Sequence, residues 1–450
     1  MCQHASRPFT TIDDLRNGGR ILLAATLRLN ATLRLSCPTT IVGGVLDGGR
    51  PLQRAGAAGQ VFADRRLPPE HLHVKMRHGR DGALVDLDHC DRLEEGLRRA
   101  PLTLVYPGMP WNRPKCAVRA VRRARECELQ MSQPCHGRVR QRGACSARAC
   151  DAVVENVPPA RGARAGWWVG RDARVHVATP ALGGRQGVVP TVEGLVSSSA
   201  PLTLVNVTLR HSAWRPGDFV ATQSAMSLVG ERSNLNIQGG AALRAPVAAV
   251  EMVRGHVLNC TFERLGGAGV RLVEGTVAHS TFRDISAGGI VGGTFAPSNR
   301  SRRLRIAHNS FSRIGAEYKD AAPILVGHAR GATIVGNRIR GAPHHAIAGG
   351  WGWTFFSEAQ GGNHTIHENF IEGAVTTLDD GGGIYVLGPQ PGSAIFDNQI
   401  DMGAGAGADR RAGLPGLRPH VYLDDGSRGV CTRNNSGRLF SKQRSNPTCP

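Results

Sequence analysis

Two aspartate pairs near the end of the chain could supply the chemistry of bond cleavage. One lies in TLDDGGGIYVLG, residues 377–388, and includes Asp380; the other lies in HVYLDDGS, residues 420–427, and includes Asp424. Two carboxyl groups can act as the acid and the nucleophile or base that cleave a glycosidic bond. Aspartate before glycine is also a common turn former. The chemical interpretation therefore requires a fold that brings the two phrases together.

Other side chains suited to binding collect between residues 315 and 427, where the turns lengthen. They are Glu317, Asp320, His344, His345, Trp351, Trp353, Tyr385 and Asp425. Carboxylates and imidazoles can hydrogen-bond to sugar hydroxyls, and indole rings offer large apolar faces. Each residue also has an ordinary structural role available, because histidines can complete a turn and tryptophans can pack under a loop. Their coincidence in one region favours a carbohydrate-binding site.

A repeated phrase from residue 250 onward indicates how these residues are positioned. Its form is apolar-x-x-Asn-x-apolar, as in IAHNSF (306–311) and IVGNRI (334–339). The repeated polar positions are Asn259, Ser280, Asn309, Asn337, Asn369, Asn398 and Asn434. Repeats of this length cannot bury an apolar face alone, so they stack on one another. The sequence predicts an all-β fold, a parallel β-helix in which equivalent residues form ladders along the axis.

The repeated asparagines are expected to point inward at the turns. There each would hydrogen-bond to the backbone of the neighbouring coils and satisfy amide groups that a tight corner leaves unpaired. This position argues against glycosylation of Asn259 and Asn434, which are two of the six N-x-Ser/Thr sites in the chain.

A second strand is expected after each asparagine phrase. Successive side chains of a strand point to opposite faces. If Ile384 and Val421 point inward, Tyr385, Tyr422 and Asp424 therefore point outward. Asp380 lies four residues before Ile384, in the turn that enters the strand. The matching turns of earlier coils hold Asp320, His344 and His345. The repeat does not give the distance between the two candidate carboxylates, which is about 5–5.5 Å in retaining and about 6.5–9.5 Å in inverting glycosidases.

The composition fits a turn-rich β protein and restricts its partners. The 450 residues include 58 glycines, and glycine weakens a helix interior by about 1 kcal/mol relative to alanine. The net charge of +20 comes from 51 arginines and only 4 lysines, spread thinly apart from residues 113–127. A solvated surface explains this pattern best, and a site for an acidic glycan is the next interpretation. Nucleic-acid binding is not expected, because such sites combine both cations with interleaved aromatics.

The repeat is interrupted between residues 55 and 190. We expect opening coils in 1–54, an inserted small β-rich subdomain in 55–190, and the main β-helix with the candidate site in 191–450. Five of the eleven cysteines cluster within residues 116–150. None forms a CxxC pair, so disulfides are expected there rather than a zinc site, with at least one thiol left over. No metal or cofactor is expected.

We expect a secreted or extracytoplasmic monomer. Disulfides form in oxidising compartments, and the N-x-Ser/Thr sites permit secretion. The opening residues, MCQHASRPFTTIDDL, lack the apolar segment of a signal peptide, so either the natural N-terminus lies upstream or the protein is not secreted. No apolar run approaches the ~20 residues that span a bilayer, so no membrane span is expected.

Three phrases carry a family resemblance: HHAIAGGWGW from residue 344, DGGGIYVLGPQPGSAIFDNQI from residue 380 and VYLDDGS from residue 421. At these phrases the chain resembles the right-handed parallel β-helix proteins of glycoside hydrolase family 141, which include an α-L-fucosidase and a xylanase. The resemblance extends more weakly over most of the chain. It implies that Asp380 and Asp424 are the catalytic carboxylates and that the insertion is a carbohydrate-binding-like β-sandwich.

Three functional hypotheses follow. The first is a glycoside hydrolase of plant- or algal-type polysaccharides or their fragments, with Asp380 and Asp424 as acid/base and nucleophile in either order. His344 or His345, Tyr385 and the two tryptophans would bind sugar. The second is a non-catalytic glycan-binding or adhesin-like β-helix. The third is a polysaccharide lyase or epimerase, whose calcium would be held by Asp320, Asp379, Asp380 and Asp425.

Overall fold

The computed structural model describes most of the chain. The described residues are 19–23, 26–51, 61–62, 66–67, 70–106, 111–140, 145, 149–159, 167–172, 174–177, 187–214, 227–229, 242–244, 246–294, 301–350, 361–403 and 418–441. Within these ranges, no helix has the length and apolar character needed to cross a membrane.

Three ladders of parallel strands run along the described part of the molecule, and successive coils add a strand to each ladder, except that the last coils add none to the third. The first ladder contains Leu33–Leu35, Val196–Ser198, Ala248–Leu258, Ala268–Ala278, Ile290–Gly292, Ile324–Val326, Ile347–Gly349, Ile384–Val386, Val421–Leu423 and Leu439–Ser441. The second contains Gly19–Leu22, Thr39–Val42, Leu202–Val205, the second halves of Ala248–Leu258 and Ala268–Ala278, then Leu304–Ala307, Thr333–Val335, Thr365–His367, Ser393–Phe396 and Val430–Arg433.

The third ladder contains Thr26–Arg28, Val45–Asp47, Thr208–Arg210, Thr261–Leu265, Thr281–Ile285, Ser310–Ile314, Arg338–Arg340, Phe370–Glu372 and Gln399–Asp401. Stacked coils of this kind form a parallel β-helix, as the repeat predicts. The right hand of the coil stays a prediction.

The core lies between the ladders and is built by equivalent apolar residues of successive coils. Val270, Ile290, Ile324, Ile347, Ile384 and Val421 form one such column. Each is at most 2% exposed. Burying a side chain of this size contributes about 1.5–3 kcal/mol, so the column alone is a large source of stability. The predicted inward orientation of these residues is confirmed.

A column of polar side chains joins the coils at the turn between the second and third ladders. Its members are Ser280, Asn309, Asn337, Asn369, Asn398 and Asn435. Asn337 Nδ2 donates to the carbonyl of Ile306 at 3.0 Å, and its Oδ1 accepts from the backbone N–H of Asn309 at 3.0 Å. Because each side chain satisfies backbone groups that the corner would otherwise leave unpaired, the column holds the corner together.

Two predicted members of this column are wrong by one residue. The strand register places Cys260 and Asn435 in the column, where the sequence pattern suggested Asn259 and Asn434. The two displaced asparagines are exposed and have positive φ, 53° and 48°, a left-handed conformation that asparagine tolerates. Their expected burial, and the argument against glycosylation built on it, is therefore also wrong. In VLNCTF Asn259 is the third residue and Cys260 the fourth, and the strand register shows that the fourth residue enters the column.

An antiparallel barrel lies within the segment that interrupts the repeat. Its strands, in order around the barrel, are Gly82–Val85, Cys127–Met131, Lys115–Arg123, Thr103–Val105, Cys150–Glu155 and His71–His78. The segment also contains a 3₁₀ helix, Leu87–His89, and two α-helices, Cys90–Arg99 and Cys135–Arg140. The β-sandwich implied by the family resemblance is not observed, because every strand pairs on both sides and the sheet closes on itself.

Disulfides join the barrel to its helices and turns. They link Cys90 to Cys127, Cys116 to Cys135 and Cys145 to Cys150. Cys260 is a free, buried thiol in the β-helix, and burial raises its pKa to about 11. The predicted disulfides and leftover thiol are confirmed.

Short pairings complete the described strands. Gly49–Pro51, Val188–Pro190, Val61–Phe62 and Arg66–Leu67 form one sheet, and Trp167–Val169 pairs with Val175–Val177. Two further pairs are Ser227–Val229 with Ala242–Arg244, and Ser301–Arg302 with Ala329–Arg330.

Replacing Asn337 by alanine should destabilise the β-helix by about 3 kcal/mol. The change removes a buried amide and leaves the backbone groups of two neighbouring coils without partners, each of which costs about 1–3 kcal/mol. Chemical denaturation measures the effect. Gln399→Ala, at an exposed position of the third ladder, is the control and should change stability by less than about 0.5 kcal/mol. Equal effects of both substitutions would contradict a structural role for the column.

Candidate active site

The outer face of the first ladder carries two tyrosines in register. Ile384 and Val421 point into the core, and the next residues, Tyr385 and Tyr422, point away from it. Tyr385 and Tyr422 are partners on adjacent strands, and their rings meet edge to face with centroids 5.4 Å apart. The predicted outward orientation is confirmed, but both side chains are at most 2% exposed.

Each tyrosine hydroxyl donates a hydrogen bond to an aspartate of the other coil. Tyr385 Oη donates to Asp424 Oδ2 at 2.5 Å, and Tyr422 Oη donates to Asp380 Oδ1 at 2.9 Å. Asp380 lies in the turn that enters one strand, and Asp424 directly follows the next strand of the ladder. Each hydrogen bond therefore joins one coil to the next, and each holds one of the two carboxyl groups in position.

The Tyr422 hydroxyl neighbours both carboxyl groups. Burial raises the pKa of Tyr422 strongly, and the charges of Asp424 and Asp380 and hydrogen bonds to both raise it further. The structure thus brings together the two aspartates that the sequence could not place on one rung.

Two buried histidines pack against this group. The His345 ring stacks on Tyr385 with centroids 4.0 Å apart and lies 3.7 Å from the His344 ring. His344 Nε2 donates to the carbonyl of Asp379 at 3.1 Å. Burial lowers the pKa of His344 to about 4, and burial together with His344 lowers the pKa of His345 well below 6.5. Both imidazoles are therefore neutral at pH 7.

His345 keeps a hydrogen-bond donor available. Its Nδ1 accepts from the backbone N–H of Gly382 at 3.4 Å, so the neutral ring carries its proton on Nε2. Nε2 has no hydrogen-bond partner within the described part of the chain, although the side chain is fully buried. A buried N–H without a partner is costly in a folded protein, so this donor suits an incoming ligand oxygen.

The glycines after Asp380 allow the coils to approach closely. A Cβ on Gly381 would lie 2.8 Å from His344 Cδ2, and one on Gly382 would lie 2.9 Å from Tyr422 Cβ. Real side chains do not tolerate such contacts, so only glycine fits between the histidines and the next coil. The DGGG phrase is therefore a packing requirement of the site as well as a turn signal.

Two other acidic residues lie near the histidines. Asp320 is fully buried in the equivalent turn of the preceding coil, and its backbone interacts with the His344 ring. Asp379 offers its carbonyl to His344, while its carboxylate lies 3.9 Å from Nε of Arg418. Both residues therefore support the turns that hold the histidines.

The remaining candidates are placed differently. Glu317 lines a separate cleft beside the barrel. Asp425 is half-buried next to Asp424, and its carbonyl accepts from the N–H of Gly388 at 3.1 Å. Trp351 and Trp353 lie outside the described residues.

The carboxylates assigned to a calcium site do not cluster. In the ranges that the structure describes, no three or more His, Cys, Asp or Glu side chains lie close enough to hold a metal ion together. Asp320, Asp379, Asp380 and Asp425 therefore do not form the joint ion site that the lyase hypothesis requires.

Tyr422 is the functional candidate that the sequence-based selection missed. It was expected only to face outward, yet its hydroxyl donates to Asp380, and the charges of both aspartates raise its pKa. The matching phrases IYV and VYL place tyrosine directly after the inward residue in two strands. That repetition is the signal that could have identified it.

The fold and the crossed tyrosine–aspartate pairs define a parallel β-helix with a candidate two-carboxylate site. A solved structure described as "Glycoside hydrolase" matches with a TM-score of 0.78 and 20% identity, over 95% of this chain and 88% of that chain. This likeness shows a shared fold. A second structure, the complex of XylC with xylose, matches with a TM-score of only 0.36 and 7% identity, over 93% of this chain and 64% of that one. No protein-family model and no curated protein matches the sequence.

Replacing His344 by glutamine should weaken the acid sensitivity of the fold. The unfolded chain protonates this histidine near pH 6.5 and the folded chain only near pH 4. The unfolded state thus binds more protons in this window, so stability is lost as the pH falls through it, by up to about 3 kcal/mol. Denaturation midpoints at pH 7, 5.5 and 4 measure the difference. His279→Asn, at an exposed turn, should retain the wild-type pH profile; equal profiles for all three proteins would contradict the assignment.

Proposed function

We propose that this protein is a glycoside hydrolase with a right-handed parallel β-helix, related to glycoside hydrolase family 141. Its substrate is a plant- or algal-type polysaccharide or oligosaccharide, and it acts outside the cytoplasm. The observation that carries the proposal is the pair of crossed hydrogen bonds between adjacent coils, from Tyr385 to Asp424 and from Tyr422 to Asp380. The shared fold with a protein described as a glycoside hydrolase supports it.

We infer a retaining mechanism, because crossed hydrogen bonds tie Asp380 and Asp424 to tyrosines on adjacent coils. Retaining glycosidases hold their carboxyl groups ~5–5.5 Å apart, whereas inverting enzymes hold them ~6.5–9.5 Å apart to make room for a water. The reaction then proceeds in two steps through a covalent glycosyl-enzyme.

We assign Asp424 as the nucleophile and Asp380 as the acid/base. Tyr385 orients a deeply buried Asp424, whereas Asp380 is half-buried in a turn and can exchange protons with solvent between the two steps. An Asp424 oxygen forms a bond to the anomeric carbon as the bond to the leaving oxygen breaks, and that oxygen takes the proton of Asp380. Asp380 then removes a proton from water, which attacks the same carbon and releases Asp424.

The neighbouring aromatic and imidazole groups have supporting roles. His345 Nε2 offers a donor to a sugar hydroxyl, and the neutral His344 holds the turn that carries Asp379 and Asp380. Trp351 and Trp353 remain candidates for stacking on sugar rings from the sequence. Tyr422 is a positioning residue, because it acts through the two carboxylates.

Asp380→Asn and Asp424→Asn should each lower hydrolysis by roughly 10³-fold or more, because each removes a group that transfers a proton or forms the covalent bond. Product release from aryl glycosides and polysaccharides measures the activity. Asp397→Asn, at an exposed turn of the same β-helix, is the matched control and should retain full activity. Unchanged hydrolysis in both site variants would overturn the proposal. Glycan binding without any hydrolysis by the native protein would favour the adhesin-like alternative, and unsaturated products would favour the lyase.

Azide rescue tests the assigned roles. With an activated aryl glycoside, Asp424→Gly plus azide should give a glycosyl azide of inverted anomeric configuration, because azide replaces the nucleophile. Asp380→Gly plus azide should give the retained configuration. Proton NMR of the products measures both. The reverse pattern would exchange the roles, and inverted sugar from the native enzyme would exclude the retaining mechanism.

Tyr422→Phe should lower kcat by roughly 10²-fold while the fold is kept. The phenylalanine ring preserves the buried packing, but Asp380 loses the hydroxyl that orients it. The pH profile of kcat/KM should also shift, because the removed hydrogen bonds act on the ionised carboxylates. Steady-state kinetics across pH 4–9 measure both effects. An unchanged pH profile with a lower melting temperature would indicate only a structural role.

A further inference from the structure

A cleft separates the inserted barrel from the turns of the β-helix. Its volume is about 680 Å³, within the range of ~300–1,000 Å³ typical of ligand sites. The barrel side includes Arg113 and Glu155, and the β-helix side includes Glu317, Lys319 and Thr377. Asp380 and Asp424 are not among its lining residues. The cleft is therefore distinct from the two-carboxylate centre.

The two walls of the cleft are held together by a buried lysine. Lys115 Nζ lies 3.0 Å from both carboxylate oxygens of Glu155 in the barrel. The same ammonium lies 5.3 Å from the ring centroid of Tyr318, which belongs to the β-helix. Tyr318 in turn packs against Trp214, with ring centroids 4.6 Å apart. Because charged and aromatic contacts cross the junction, the cleft has a defined shape before a ligand arrives.

The lining of the cleft suits a ligand that both donates and accepts hydrogen bonds. The lining includes four cationic residues, Arg113, Lys115, Arg313 and Lys319, and three acidic residues, Asp151, Glu155 and Glu317, of which Lys115 and Glu155 bind each other. Two threonine hydroxyls, Thr376 and Thr377, add groups of either kind. A strongly anionic ligand would meet the carboxylates, and a cationic ligand would meet the lysines and arginines. A neutral polyhydroxylated saccharide can pair with both sets at once.

The cleft opens on the turns that carry the proposed catalytic centre. Thr377 lies three residues before Asp380, and Pro343, another lining residue, directly precedes His344. The cleft and the proposed catalytic centre therefore share two turns of the β-helix.

We propose that this cleft is a distal subsite for neutral saccharide units of the substrate, which rests on the proposed glycosidase function. The barrel supplies one wall of the subsite, so the insertion contributes to the choice of substrate. The protein accordingly prefers oligosaccharides of several units to disaccharides.

Titration calorimetry on the full chain carrying Asp380→Asn tests the subsite without hydrolysis. The probes are xylobiose and xylohexaose, cellobiose and cellohexaose, and hexagalacturonate as the anionic comparator. At least one neutral hexasaccharide should bind tenfold or more tightly than its disaccharide, and more tightly than hexagalacturonate. Adding Glu317→Gln or Lys319→Gln should weaken hexasaccharide binding roughly tenfold and disaccharide binding less than twofold, because each removes a charged hydrogen-bond partner from the distal units alone.

Glu368→Gln, at an exposed position away from the cleft, is the matched control and should leave both affinities unchanged. Equal losses for short and long probes, no loss in either variant, stronger binding of hexagalacturonate, or no binding of any probe would overturn the subsite. If the catalytic assignment is wrong, the result is different. The Asp380→Asn variant then still hydrolyses substrate, whether or not its affinity increases with the length of the oligosaccharide.

Discussion

The one-to-one parallel pairing of successive coils is the constraint on which the whole structure depends. It places each inward apolar residue on its equivalent in the next coil, and it lets the asparagine column satisfy the backbone at each corner. The same register sets Tyr385 beside Tyr422 on the outer face. A shift of the strand register by one residue would turn both tyrosine side chains into the core and expose Ile384 and Val421. The candidate site therefore exists only while the apolar column keeps its register.

The site combines a rigid support with two carboxyl groups brought from different coils. Glycines at 381 and 382 remove the side chains that would separate the coils, and the histidine pair fills the space beside them. Burial keeps both imidazoles neutral, so they add hydrogen-bond donors without adding charge near the aspartates. Tyr385 and Tyr422 then hold one carboxyl group each across the coil boundary. Neighbouring side chains that are themselves fixed on strands hold reacting groups within narrow limits of distance and angle.

The barrel gives the β-helix a surface that stacked coils alone do not provide. A solenoid offers long, shallow faces, because each coil contacts only its neighbours. The insertion lies beside the turns near Glu317 and Thr377 and forms an open cleft with them. Its disulfides stabilise a small domain whose own core is limited, which suits an oxidising environment.

The sequence by itself determined the repeat and the apolar column, because periodic spacing is a local signal, and it selected Asp380 and Asp424 as candidates through a family resemblance. It predicted that Tyr385 faces outward, and it selected the His344–His345 pair. Only the tertiary structure decided which of two adjacent polar residues joins the column at Cys260 and Asn435. It also decided that the insertion is a closed barrel, and that Tyr422 donates a hydrogen bond to Asp380 of the neighbouring coil. The physical reason is the same in each case, because these features depend on which strands pair and in what register. Contacts between residues some 40 positions apart cannot be inferred from local spacing.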